Sequence, residues 1–391
     1  MKIHPLIKWG LIAMALLFSL FGAAFVGLLI YLVHTQRAYA SMPDTHDLKA
    51  RIEKMGRNYL AGHKNAALII AFYQNGKESV QGFGKVSDSN QNPPDARTIF
   101  EIGSVTKIFT ATLLSEMFDD GTVKPDDSIS LFLPKDVRSP TLNGRGITLE
   151  DLATHTSGLP RLPDNLLSTS KNQSDPYVNY TTRDLYESLK TVKLRNEPGA
   201  KSVYSNYGFG LLGKLLELKS GKSYQELIQQ NICAPLGLDS TTTQLSQEEA
   251  ARLAPGHSPD GKVVSNWHFD ALAGCGAILS DATDLLKFIE ANLGPANSGI
   301  SRAFQNMQTC HFKGFANSVG LGWQLTDTVE GLSIIWHNGG TGGYRSFVGF
   351  DKTHQTGVVV LSNYGDAFAG DNSVDTMGMK LLTIGSKVSL Q

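Results

Sequence analysis

Two periods of apolar residues run through the chain after about residue 45. Residues 105–120 carry Val105, Ile108, Phe109, Leu113 and Met117 at spacings of three and four, one face of a helix, with Gly121 as terminator. Residues 47–60, 207–220, 223–231 and 281–292 also read as helices. Residues 66–73 form a continuous apolar run, 74–77 a turn centred on Asn75-Gly76, and 79–86 a second strand, which predicts a hairpin. Strands return at 320–325, 332–336, 344–350 and 356–361, with a turn near 351–355. Residues 162–181, rich in Ser, Asn, Asp and Pro, read as a surface excursion. Strands at both ends with helices between predict an α/β domain. Its sheet part takes about 45–120 and 275–385, and a mostly helical inserted part takes about 121–274.

The first forty residues follow a different pattern. Residues 11–33 hold no charge, Lys2 and Lys8 precede them, and Arg37 follows. Twenty-three residues rising about 1.5 Å each span a bilayer. The length of the run favours an inner-membrane anchor. Ala38-Tyr39-Ala40 offers the alternative, a signal peptide cut before Ser41. Under both readings the leading lysines stay inside, so 41–391 is an exported, periplasmic domain.

Composition removes several classes. The 391 residues are 41% hydrophobic and 18% charged, enough apolar material for a large core and too much for a disordered chain. The net charge of −1 argues against a nucleic-acid partner. Cys233, Cys275 and Cys310 are too few for a disulfide scaffold and form no C-x-x-C pair. The ten histidines include no H-E-x-x-H, so neither a metal nor a cofactor is expected. No G-x-S-x-G occurs. Gly221-Lys222-Ser223 lacks the glycine of a phosphate loop, having Leu216 in its place.

Three short motifs remain. Ser104-Val105-Thr106-Lys107 opens the helix at 105–120, where a spacing of three puts hydroxyl and ammonium on one face beside orphan backbone amides. A second S-x-x-K, at Ser168 to Lys171, sits in the polar stretch with no helix after it. Tyr204-Ser205-Asn206 follows Glu197-Pro198-Gly199 and precedes a helix, whereas the Y-x-N triplets at Tyr73 and Tyr177 lie in a hairpin and in the polar stretch. His337-Asn338-Gly339-Gly340 ends an apolar strand, and its glycines let another backbone come close.

In this order, with Phe100 to Gly103, Thr154 to Pro160 and Gly320 to Trp323 around them, the motifs resemble the serine β-lactamase and penicillin-binding-protein family. The likeness is to its class C-like branch of AmpC- and AmpH-type serine hydrolases. The resemblance implies a β-lactamase/transpeptidase-like fold, an antiparallel sheet flanked by helices with a mostly helical inserted domain. It implies a hydrolase acting through an acyl-enzyme on β-lactams, D-alanyl peptides or related amides and esters. A carboxylesterase of the same fold and a penicillin-binding sensor without turnover are the alternatives. The partner implied is a small molecule or a peptidoglycan peptide.

By the same resemblance, Ser104 is the nucleophile, and Lys107 and Tyr204 share its proton. Asn206 orients Lys107 and meets the substrate amide. The backbone amides of Ser104 and Gly340 form the oxyanion hole next to Gly339. The chain departs from the family at K-T-G, which His337-Asn338-Gly339 replaces. His337 is expected to face the cleft opposite Ser104 and, when protonated, to attract a substrate carboxylate, an attraction lost as pH rises through about 6.5. The alternative is a histidine that only holds the strand end. His155 reads as structural, Trp323 and Trp336 as core or cleft wall, and Arg345 as a carboxylate contact or a surface residue.

Overall fold

A computed structural model describes residues 47–170, 172, 174–295, 299–314, 318–388 and 390. The apolar run at 11–33 and the cleavage motif at 38–40 lie outside these residues. No helix among the described residues is long and apolar enough to cross a membrane.

Helix α1 (Leu48–Gly62) begins at Asp47, whose carboxylate accepts from the backbone amides of Lys49 and Ala50. The predicted hairpin follows as β1 (Ala67–Gln74) and β2 (Lys77–Gly84), turning through Asn75 and Gly76 at positive φ. A short helical turn, Gly103–Val105, leads into α2 (Thr106–Asp119). Helix α3 is Asn206–Ser220 and α4 is Ala282–Leu293. The chain then returns to strands: β3 (Phe312–Lys313), β4 (Ser318–Val319), β5 (Gln324–Asp327), β6 (Ser333–Gly340), β7 (Arg345–Asp351) and β8 (Thr356–Ser362). Helix α5 (Val374–Gly385) closes the described chain.

The eight strands form one antiparallel sheet in the order β2-β1-β8-β7-β6-β5-β4-β3, so the first hairpin pairs with the last strand. The period of two assigns the faces. Phe72, Val358 and Gly349 are in register, as are Ile70, Val360 and Phe347. This face meets α5, where Gly378 lies against Phe347 and Gly385 against Phe72. It also meets α1, where the Tyr59 hydroxyl is 2.8 Å from that of Ser362. The opposite face carries Gly357, packed against Ile289 of α4, and Gly339, packed against the backbone of Ile102. The antiparallel sheet with flanking helices agrees with the sequence-based expectation.

Four features differ from that expectation. Helix α2 is buried nearly all round, and its polar residues find partners: Thr110 donates to the Gly274 carbonyl and Ser115 to that of Ala303. Strand β6 runs four residues past the apolar stretch that announced it, so His-Asn-Gly-Gly lies inside a strand paired with β7. Residues 320–323 turn at Gly322 (φ 72°), and strand β5 starts only at Gln324. Helices Gly299–Met307 and α5 were not anticipated.

Candidate active site

Ser104 sits on a turn made possible by its neighbour. Gly103 has φ 49°, and a Cβ there would stand 2.6 Å from the Gly340 nitrogen. A Cβ on Gly339 would stand 2.0 Å from the Ile102 carbonyl oxygen and 3.0 Å from the Ser104 nitrogen. The Ser346 hydroxyl donates to the same Ile102 carbonyl at 2.7 Å. Bare backbone thus lets the end of β6 press against the turn, bringing the backbone amides of Ser104 and Gly340 to one place.

Lys107, the second residue of α2, is wholly buried. Its ammonium donates to Ser104 Oγ at 2.9 Å, Asn206 Oδ1 at 2.9 Å and the Cys275 carbonyl at 2.7 Å. The two carbonyl-type oxygens only accept, so they hold two of the nitrogen's hydrogens in place. The third direction, at Ser104, serves as N–H donor when Lys107 is charged and as lone-pair acceptor when it is neutral. A proton can therefore move between Ser104 and Lys107 without rearrangement of the site.

Asn206 is the first residue of α3. The preceding Ser205 caps this helix, accepting from the Gly208 amide and donating to the Pro160 carbonyl at 2.7 Å. The Asn206 amide nitrogen donates to the Tyr177 hydroxyl at 3.3 Å, which orients its oxygen toward Lys107. The Tyr204 ring centroid lies 4.8 Å from Lys107 Nζ, 4.5 Å from the His155 ring and 5.0 Å from the Arg161 guanidinium carbon. The Tyr204 hydroxyl has no hydrogen-bond partner among the described residues.

His155 has the structural place assigned to it. At φ 60° it is buried beneath Tyr204, and its Nδ1 accepts the Ser205 amide at 3.1 Å. Burial, with Lys107, His337 and Arg161 nearby, keeps its ring neutral, far below the ordinary histidine pKa.

His337 lies on the Ser104 side of β6, but it does not line the cleft as expected, and the charge expected of it is absent. It is 1% exposed, its ring lies 6.2 Å from that of Tyr204, and its Nδ1 is 2.6 Å from the Asn338 carbonyl. Burial and the neighbouring Lys107 lower its pKa to about 3. The strand period explains the burial: His337 and Gly339 share the face pressed onto the Ser104 turn, while Asn338 faces α5 and Gly340 meets Phe368 and the Arg345 side chain. A neutral, enclosed imidazole is no carboxylate attractor at neutral pH.

Arg345 lies between its two expected roles, lining the cleft with its Nε 4.0 Å from the Asp366 carboxylate. It reaches the cleft edge, yet its guanidinium donates to the carbonyls of Thr341, Tyr344 and Gly365 and stacks 4.4 Å over Phe368. Trp323 is core, T-stacked on Phe350, and Trp336 lies on the α5 face, stacked on Phe347.

A cleft of about 740 Å³ opens above Ser104, Tyr204, Asn206, Gly339 and Gly340. Its remaining walls include Arg161, Tyr177, Trp267, Thr341 and Phe368, none of which was singled out as a site residue. Arg161 follows directly after the Thr154–Pro160 stretch, and Tyr177 belongs to a Y-x-N triplet that had been set aside. Residues 162–181 are therefore more than a surface excursion: Leu166, Tyr177 and Tyr180 are buried, and Leu162 lines the cleft. In the second S-x-x-K, Ser168 bonds the Asn165 carbonyl within a five-residue helix that ends at Ser170. No cluster able to hold a metal occurs among the described residues.

Comparison with known proteins places this geometry. A family model described as Beta-lactamase matches residues 52–375. Over 321 residues the chain is 30% identical to the D-alanyl-D-alanine-carboxypeptidase/endopeptidase AmpH of Escherichia coli (strain K12), covering 78% of this chain and 80% of that protein. It is 28% identical over 334 residues to a beta-lactamase of Pseudomonas fluorescens, covering 76% and 88%. A solved beta-lactamase/D-alanine carboxypeptidase from Yersinia pestis, complexed with citrate, superposes with a TM-score of 0.74 at 26% identity, covering 86% of this chain and 98% of that one.

Proposed function

The chain belongs to the beta-lactamase family, and from that premise we propose that it is a serine hydrolase acting through an acyl-enzyme on D-alanyl peptides, with β-lactams as related substrates. The observation that carries this reading is the 2.9 Å contact between Lys107 Nζ and Ser104 Oγ at the floor of an open cleft. In the proposed reaction Lys107 takes the proton of Ser104 as Oγ attacks the substrate carbonyl. The amides of Ser104 and Gly340 receive the developing oxyanion. The unpartnered Tyr204 hydroxyl, beside Lys107, relays the proton to the leaving nitrogen. Water then enters and the same groups, run in reverse, release the acyl product. Asn206 holds Lys107 in line and offers its amide to the substrate.

A second reading, hydrolysis of neutral esters, is favoured by the exposed apolar side chains at the mouth, Leu167 at 72% and Phe368 at 44%. We also place the domain outside the cytoplasm. The uncharged run at 11–33 behind Lys2 and Lys8 supports this, and fractionation of the full chain distinguishes an anchor from a cleaved leader.

Fluorescent penicillin and a short-chain nitrophenyl ester, each with wild type and Ser104→Ala, test the proposal. The variant should lose labelling and at least about a thousandfold in turnover of the ester. Labelling that decays in the wild type marks turnover, and labelling that persists marks a sensor or a slow peptidase. Full activity in Ser104→Ala would overturn the assignment.

A further inference from the structure

The motif that usually supplies a fixed cation at this site supplies a buried, neutral histidine here, yet the cleft still holds cationic groups. Lys107 is buried behind Ser104, outside the cleft lining, with all three hydrogen-bonding directions engaged. Arg345 stands on one wall with its two terminal nitrogens bonded to backbone carbonyls and its Nε 4.0 Å from Asp366. Arg161, on another wall, is exposed and makes no hydrogen bond or ion pair through its guanidinium among the described residues. It is held by other means. Its backbone carbonyl accepts the amides of Asn206 and Tyr207, which ties it to the start of α3. Its guanidinium carbon stacks 5.0 Å over the Tyr204 ring. An adjoining recess of about 300 Å³ is also lined by Arg161, together with Arg195 and Asp164. No ion pair joins Asp164 to either arginine among the described residues, so the Arg161 charge is not neutralised from within the protein.

Resting on the acyl-enzyme reading above, we propose that Arg161 is the residue that selects substrates bearing a carboxylate. Its planar fork binds that group bidentately while Tyr204 fixes the plane of the guanidinium. A guanidinium suits this task because it stays charged throughout the neutral range and presents paired donors at carboxylate spacing. Stacking on Tyr204 removes much of the freedom a long side chain otherwise loses on binding. Placing this group beside the proton-relaying tyrosine aligns an anionic substrate with the reacting centre rather than only retaining it in the cleft.

Two sources offer such a carboxylate, the C-terminus of a D-alanyl peptide and the ring carboxylate of a β-lactam, so the test has two arms. In protein carrying Ser104→Ala, which holds substrate without turning it over, calorimetry at low salt compares an acyl-D-Ala-D-Ala peptide with its C-terminal amide. The second arm compares benzylpenicillin with its methyl ester. The charged member of at least one pair should bind roughly ten- to a hundredfold more tightly than its neutral analogue. Adding Arg161→Gln should abolish that preference, and Arg161→Lys should restore part of it. A preference that survives Arg161→Gln, or the absence of any preference in both arms, overturns the proposal. Binding is read apart from chemistry, so this failure is distinct from failure of the acyl-enzyme reading, which shows instead as unlabelled wild-type protein.

Discussion

A histidine in place of a lysine changes the chemistry of one position, and its burial changes it further. His337 is 1% exposed, its Nε2 has no partner among the described residues, and its pKa falls to about 3. The unfolded chain binds a proton at this residue below about 6.5. Between these values the unfolded state is protonated and the folded state is not, so stability is complete above about 6.5 and declines as pH falls. One such group costs up to about 1.4 kcal/mol per pH unit. His155, also held neutral, adds a parallel loss that remains when His337 is replaced. Denaturant unfolding at pH 6.5 and 4.5 should therefore show His337→Gln losing about 1–3 kcal/mol less than wild type over that interval. Equal losses in the two proteins would mean that His337 accepts a proton in the folded state, and would restore it as a candidate cation.

Strand β6 shows how an element sets what its residues do. Its alternation sends Gly339 toward Ser104 and Asn338 toward α5, so two adjacent residues of one motif serve opposite sides of the sheet. At Gly339 the space for a Cβ is filled by the Ile102 oxygen at 2.0 Å, Ser346 Oγ at 2.5 Å and the Ser104 nitrogen at 3.0 Å. Gly339→Ala must push the strand end away from the nucleophile turn, costing about 1–3 kcal/mol of stability. A displacement near 1 Å at the oxyanion amides lowers kcat/KM by roughly a hundredfold. Gly62, at the end of α1, has nothing within 4 Å of its Cβ position. There Gly62→Ala should gain up to about 1 kcal/mol with kcat/KM unchanged. Ester kinetics and chemical denaturation of both variants check the pair, and a similar loss of kcat/KM in the two would remove the special role of Gly339. The spacing of apolar residues decided which elements were legible. Helices α2, α3 and α4 were visible because their apolar residues recur at three and four. Helix α5 was not, because its buried face includes the polar Lys380 and Thr383 and leaves no regular apolar stripe.

At the scale of the whole molecule, the groups proposed to react stand in short sequence patterns and the walls around them do not. Ser104 with Lys107, and Tyr204 with Asn206, are short patterns because the chemistry demands fixed residue types at fixed spacing. The contacts that complete the site arise only on folding: the Cys275 carbonyl reaches Lys107 across 168 residues, and the Tyr177 hydroxyl reaches Asn206 across 29. Another connection runs from the C-terminal helix to the site strand. The Asn338 amide donates to Asp375 in the first turn of α5 at 2.5 Å, and the other oxygen of Asp375 has no partner among the described residues. Arg345 draws the Asp375 pKa down and Asp366 pushes it up, but burial prevails and raises it to about 7. In the unfolded chain the same carboxyl titrates near 3.9. The folded protein thus keeps a proton that the unfolded chain releases, and stability declines as pH rises from about 4 to 7. Asp375→Asn keeps the shape and the bond from Asn338 without that titration. Relative to wild type it should gain about 1–3 kcal/mol between pH 5 and pH 8, read by denaturant unfolding at the two values. A difference between the two proteins that stays constant from pH 5 to pH 8 would show instead that Arg345 holds Asp375 as a carboxylate, and that an ion pair, rather than a protonated acid, fastens the last helix to the strand beside Ser104.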